Sequence, residues 1–102
     1  MAKVYAMYRP PSDAAAFDRY YFDRHVPLAK TLPGLRSYEV TRGPIAAMGG
    51  QAPYYLIATL SFDSRAAIDV ALASPQGKAT AGDLSNFATG GVDVLIADTG
   101  LF

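Results

Sequence analysis

Four stretches of the chain carry strand patterns, and the segments between them carry helical ones. Residues 3–9, Lys-Val-Tyr-Ala-Met-Tyr-Arg, are rich in β-forming residues and stop at Pro10-Pro11, which cannot continue a ladder. Ser12 or Asp13 can then cap a helix that opens on Ala14, Ala15 and Ala16. Phe17, Tyr20, Tyr21, Arg24 and Leu28 recur at steps of three and four, which predicts one helical face. Pro27 has no N–H and disfavours helical geometry at Val26, so this helix should end or kink near His25. Pro33-Gly34 marks a turn, and residues 35–41 read as a second strand in which Tyr38 and Val40 alternate with polar residues. After a loop around Met48-Gly49-Gly50-Gln51, residues 54–62 form the longest run of β-formers. Asp63-Ser64 precedes an alanine-rich helix, Arg65 to Ala73. Ser74-Pro75 begins another helix, which carries Leu84 and Phe87 and stops at Gly90-Gly91. Val92 to Asp98 is the fourth strand.

The order β-α-β-β-α-β, with the second helical region split, is that of the ferredoxin-like α+β fold. It is an antiparallel sheet with helices on one face, here expected as a single domain over residues 1–102. Such a sheet should be apolar on its helix side only. The second strand obeys this. In the first, Val4, Ala6 and Tyr8 point one way while Tyr5 and Met7 point the other. The third sets Leu56, Ala58, Leu60 and Phe62 against Tyr55 and Ile57, and the fourth sets Val92, Val94 and Ile96 against Leu95 and Ala97. Three of four strands are apolar on both faces, which predicts a homodimer packed sheet against sheet.

Composition narrows the chemistry. The 102 residues include nine Lys+Arg, nine Asp+Glu, one His and no Cys. Scattered basic residues and zero formal charge give no electrostatic footprint for nucleic acid. Without cysteine there are no disulfides, thiolate metal sites or cysteine nucleophiles, and a single histidine removes every multi-histidine metal site. No apolar stretch approaches the ~20 residues needed to span a bilayer, so a soluble, cytoplasmic protein with no membrane partner is expected. Gly49-Gly50 and Gly90-Gly91 lack the Lys-Ser/Thr of a phosphate cradle, and Ser61, Ser64 and Ser74 lack a nucleophile elbow.

The segment His25-Val26-Pro27-Leu28-Ala29, followed by Leu32-Pro33-Gly34-Leu35-Arg36-Ser37-Tyr38, is one of several ordered motifs. The others are Leu60-Ser61-Phe62-Asp63-Ser64, Ala73-Ser74-Pro75-Gln76-Gly77 and Asp83-Leu84-Ser85-Asn86-Phe87. Together they closely resemble the EthD family of dimeric α+β barrel proteins, across essentially the whole chain. The resemblance implies a ferredoxin-like protomer paired into a dimer. It implies less about chemistry: the family is named from bacterial ether degradation, where a member accompanies an ether-oxidising cytochrome system. The wider superfamily includes cofactor-free monooxygenases, lactone isomerases and haem proteins, so an activity carried across it is analogy at fold level.

His25 is the only side chain whose ordinary pKa lies near neutrality, and it heads the segment of resemblance. On α-helical spacing it stands beside the apolar stripe, where it could equally end the helix by bonding a carbonyl. Asp83, in the Asp-x-x-x-Phe motif, could orient that imidazole, or could be an ordinary solvated carboxylate. The abundant tyrosines can pack or supply hydroxyls. The expectation is a cleft between helices and sheet in which His25 and Asp83 are catalytic and Tyr5, Phe17, Tyr21, Tyr38 and Phe87 bind substrate. No cofactor and no metal are expected; His25 as a haem ligand remains as the superfamily's alternative. Three functions stay open. One is a cofactor-free oxidoreductase, isomerase or lyase acting on an apolar, oxygen-bearing small molecule with His25 as acid–base. The second is a non-catalytic binding protein or accessory to an oxygenase system, and the third is a purely structural dimer.

Overall fold

The computed structural model describes all 102 residues. Its strands are β1 (Ala2–Tyr8), β2 (Ser37–Val40), β3 (Leu56–Phe62) and β4 (Val92–Asp98). They form one antiparallel sheet in the order β2-β3-β1-β4, the ferredoxin-like arrangement, and the helices cover one face. Two strands are shorter than the sequence pattern suggests, although their pairing is not. Arg36 N–H donates to the Ser61 carbonyl at 2.8 Å, Thr41 N–H to Ile57 at 3.0 Å and Tyr55 N–H to Tyr8 at 2.7 Å, so ladder bonds continue beyond the regular pleat.

The helices begin where the capping residues stand. The Asp13 carboxylate accepts from Ala16 N–H ahead of α1 (Ala14–Tyr20). Ser64 accepts from Ala67 N–H ahead of α3 (Arg65–Ala73). Ser74 ends α3 and caps α4 (Pro75–Asp83) by accepting from Gly77 N–H. Gly77 fits where α3 and α4 meet: a Cβ there would stand 2.6 Å from Leu72 Cα and closer still to the Ala71 carbonyl. Leu84–Asn86 tightens into a 3-10 turn before Phe87, so Leu84 and Phe87 lie beyond α4 rather than within a longer helix.

The alternation divides β1 by face, and β3 also except for Ser61, which is buried. Ala2, Val4, Ala6 and Tyr8, with Leu56, Ala58, Leu60 and Phe62, are buried beneath the helices. On the other face Met7 stands opposite Ile57, and Tyr5 lies between Leu95 and Thr59. On that face Tyr5, Met7 and Ile57 are partly exposed and Leu95 is 54% exposed. Tyr55 departs from the expected outward orientation. It precedes the first regular residue of β3, and its ring packs edge-on against Phe17, with its hydroxyl donating to Asp18 at 2.8 Å. No helix is long and apolar enough to cross a membrane.

Candidate functional site

The helical run after β1 does not stop at Tyr20. A π turn over Tyr21–His25 follows, with Val26 N–H bonding back to the Tyr21 carbonyl, and then the single turn α2 (Val26–Ala29) with Pro27 inside its first turn. The buried side chains are Phe17, Tyr21, His25 and Ala29, each four residues apart. Four α-helical residues overshoot a full turn by about 40°, so three such steps would drift by about 120°. The wider π turn takes up part of that drift and keeps all four on one side. His25, expected beside the stripe, therefore lies on it and is 3% exposed, while Arg24 faces solvent.

Burial brings the imidazole to a partner. His25 Nδ1 lies 2.9 Å from Asp83 Oδ2, at the end of α4. The other carboxylate oxygen, Oδ1, accepts from the Tyr20 hydroxyl at 2.6 Å and from Asn86 Nδ2 at 2.9 Å. Burial works to raise the Asp83 carboxyl, but the hydrogen bonds from Tyr20, Asn86 and His25 outweigh it and hold its pKa below the ordinary value. Burial depresses the His25 pKa, and the Asp83 hydrogen bond and charge only partly offset it. At neutral pH the pair is carboxylate and neutral imidazole, and an ionised carboxylate can only accept. Nδ1 thus carries the proton and Nε2 is bare. No sealed side-chain nitrogen or oxygen lacks a partner, and Nε2 bonds to no protein atom, so Nε2 keeps an opening to space.

His25 lines a cavity of about 270 Å³ between α2, α4 and the inner sheet face. Most of its wall is aliphatic, from Val4, Ala6, Ala58, Leu60 and Leu84, while His25, Tyr8, Tyr38 and Thr80 bring polar atoms. A dry 150 Å³ apolar cavity accepts a benzene, so this one has room for a bicyclic or branched molecule of similar polarity. No group of three or more His, Asp or Glu side chains is arranged to hold a metal ion.

Of the seven candidate residues, His25 and Tyr38 line the cavity and Asp83 contacts His25 directly. Phe17, Tyr21 and Phe87 do not line it. They stand one layer behind, where the Phe87 ring is 4.7 Å from the imidazole and Tyr21 stacks on it at 5.5 Å. Tyr21 still reaches the wall indirectly, because its hydroxyl bonds that of Tyr38 at 2.7 Å. Tyr5 is not part of the site. It alternates with Val4 and Ala6, and strand pleating sends it to the opposite face. Sequence reasoning missed Tyr20 and Asn86 as the groups holding Asp83. Asn86 carried a faint signal, three residues after Asp83 and on the same side of a helical turn.

A family model described as the EthD domain matches residues 9–91. The chain belongs to the EthD family. An 11.0 kDa protein of Rhodococcus erythropolis, from the thcB–thcC intergenic region, is 39% identical over 96% of this chain and 94% of its own length. A solved EthD family protein from Bacillus halodurans is 33% identical, covers 98% of this chain and 99% of its own, and superposes with a TM-score of 0.89. More distant structures share the fold alone. A dimeric ferredoxin-like protein from Thermobifida fusca is 12% identical over 96% and 90% of the two chains, with a TM-score of 0.70. SnoaB of Streptomyces nogalater, a cofactor-independent oxygenase, is 17% identical over 99% and 93%, with a TM-score of 0.65.

Proposed function

We propose that this EthD protein is a homodimer that binds an apolar, oxygen-bearing small molecule in the 270 Å³ cavity and transfers a proton to or from it through His25. The observation that carries the reading is that the imidazole held at Nδ1 by Asp83 also lines an apolar cavity, with Nε2 bonded to no protein atom. In that arrangement Nε2 takes a proton from an acidic C–H or O–H of the substrate. The imidazolium that forms is stabilised by the Asp83 carboxylate, which Tyr20 and Asn86 hold in place. Returning the proton to another atom is an isomerisation, and expelling a leaving group from the carbanion is an elimination. Attack of the carbanion on dioxygen is the oxygenase outcome, the class to which SnoaB belongs. Dimerisation is supported by the apolar outer face of Tyr5, Met7, Ile57 and Leu95, and by the dimeric state of the Thermobifida relative in fold.

Exchange of the α-protons of 2-indanone for deuterium tests the proton transfer, since this bicyclic ketone matches the cavity in size and polarity. Protein-catalysed exchange that disappears in His25→Gln, with ketone binding retained, is the expected result. Binding without exchange in the native protein would replace the catalytic reading by that of a carrier or of an accessory to an oxygenase.

A further inference from the structure

A second and larger hollow, about 1090 Å³, lies between the helical run and the segment leading from β2 to β3. Phe22, Tyr54 and Tyr55 give it aromatic surface, and Lys30 and Arg42 both line it. Neither cation belongs to any of the chain's ion pairs, which join Arg9, His25, Arg36 and Arg65 to carboxylates elsewhere. The one acidic group lining the groove, Asp18, accepts a hydrogen bond from the Tyr55 hydroxyl. The groove therefore has an excess of positive charge beside aromatic walls.

Tyr38 is the only residue that lines both this groove and the His25 cavity. It is the residue at which the two hollows meet, and its hydroxyl bonds that of the buried Tyr21. The far rim of the cavity, where Leu72, Ala81 and Val94 remain exposed, contributes no charged side chain. A molecule whose apolar end occupies the cavity meets no ionic partner if its tail leaves by that rim, and meets two cations if its tail passes Tyr38.

Building on the cavity reading above, we propose that the two hollows form one elongated site for an acidic amphiphile. Its apolar end lies against His25, its chain passes the Tyr38 ring, and its carboxylate is held in the groove by Lys30 and Arg42. Exposed charge contacts are individually weak. Two acting on one carboxylate give a preference of about tenfold, enough to select acids over neutral molecules of the same shape.

The single histidine makes the test direct, because the His25 ring signals in an NMR spectrum have no counterpart elsewhere in the chain. The probes are 4-phenylbutanoate, 6-phenylhexanoate and 8-phenyloctanoate, each beside its neutral alcohol, with affinity read by calorimetry and cavity occupancy by the His25 signals. The expected result is that the longer acids shift His25 and bind about tenfold tighter than their alcohols. That preference should vanish in the Lys30→Gln, Arg42→Gln double variant while the alcohols bind as before. Equal affinity of acid and alcohol, with His25 shifted by both, would overturn the elongated site and leave the cavity reading standing. Acids that bind without moving His25 would also overturn it, since the groove would then act alone. If no probe of any length moves His25, both readings fall.

Discussion

Replacing Asp83 by Asn changes the shape of the site hardly at all and should move one proton. In the native protein Oδ2 faces His25 Nδ1, while Oδ1 receives the Tyr20 hydroxyl and the Asn86 amide. Two donors converge on the Oδ1 position, so the carbonyl of the new amide belongs there and its NH2 turns toward the imidazole. Nδ1 must then accept, and the proton moves to Nε2. A hydrogen bond to a charged partner is worth about 1.5–3 kcal/mol and a neutral one about 0.5–1.5 kcal/mol. An amide NH2 cannot accept from Nδ1–H, so that tautomer loses the whole charged bond, about 1.5–3 kcal/mol. The new amide donor favours the Nε2–H tautomer by about 0.5–1.5 kcal/mol. The sum, about 2–4.5 kcal/mol, changes the tautomer ratio roughly 30- to 2,000-fold. Nitrogen-15 spectra of the lone imidazole above pH 7 distinguish a protonated ring nitrogen from a bare one. The native protein should show Nδ1 protonated and Nε2 bare, and Asp83→Asn should show the reverse, with deuterium exchange into 2-indanone slowed at least in proportion. A native Nε2–H, or an unchanged tautomer in a folded Asp83→Asn, would refute the argument.

Burial lowers the His25 pKa from its ordinary 6.5, so as pH falls through that region the unfolded chain takes up the proton first and stability declines. The melting temperature should drop between pH 7.5 and 5, and drop less in His25→Gln; parallel curves would contradict this. Gly77→Ala places a methyl group against the backbone of Ala71 and Leu72 and should cost about 1–3 kcal/mol in denaturant unfolding. A neutral effect would mean that α3 and α4 separate freely. Ile57→Asp puts a charge in the middle of the outer apolar face opposite Met7, and sedimentation velocity should show a dimer becoming a monomer with unchanged circular dichroism. A native protein already monomeric at micromolar concentration would remove the dimer from the account.

The fold was legible because its signals are local. Proline pairs and glycine pairs mark the ends of strands, and Asp13, Ser64 and Ser74 are placed where helices need side-chain acceptors. The apolar residues on both faces of β1 and β3 were equally plain, since alternation is a period of two that any register preserves. Irregular segments were less plain. Tyr55 turns inward because it lies just before the regular strand, where alternation no longer dictates direction and the Phe17 ring and Asp18 carboxylate do.

The site shows where a periodic reading gives out. Counting in steps of an ideal α-helix puts His25 at the margin of its stripe, and only the π turn draws it inward. The sequence contained half of that information. Pro27 denies the Asp23 carbonyl its usual donor, so some departure from α geometry had to occur within a turn of His25. The kind of departure depends on what the buried stripe must reach. A kink would have broken the line of Phe17, Tyr21, His25 and Ala29, whereas a π turn keeps it against the sheet. Its consequence is chemical. The same turn that aligns the stripe sets Nδ1 at hydrogen-bond distance from α4 and places the imidazole in the cavity wall. Packing and chemistry here share one cause, so a substitution that restores a plain α-helix should repack the stripe and separate His25 from Asp83 together. Pro27→Ala, which returns an N–H to the Asp23 carbonyl, is that substitution. Its signature would be loss of the Nδ1–Asp83 bond in the imidazole spectrum without loss of helix content. An unchanged His25 spectrum would show instead that the aromatic layer of Tyr21 and Phe87, not the proline, holds the π turn open.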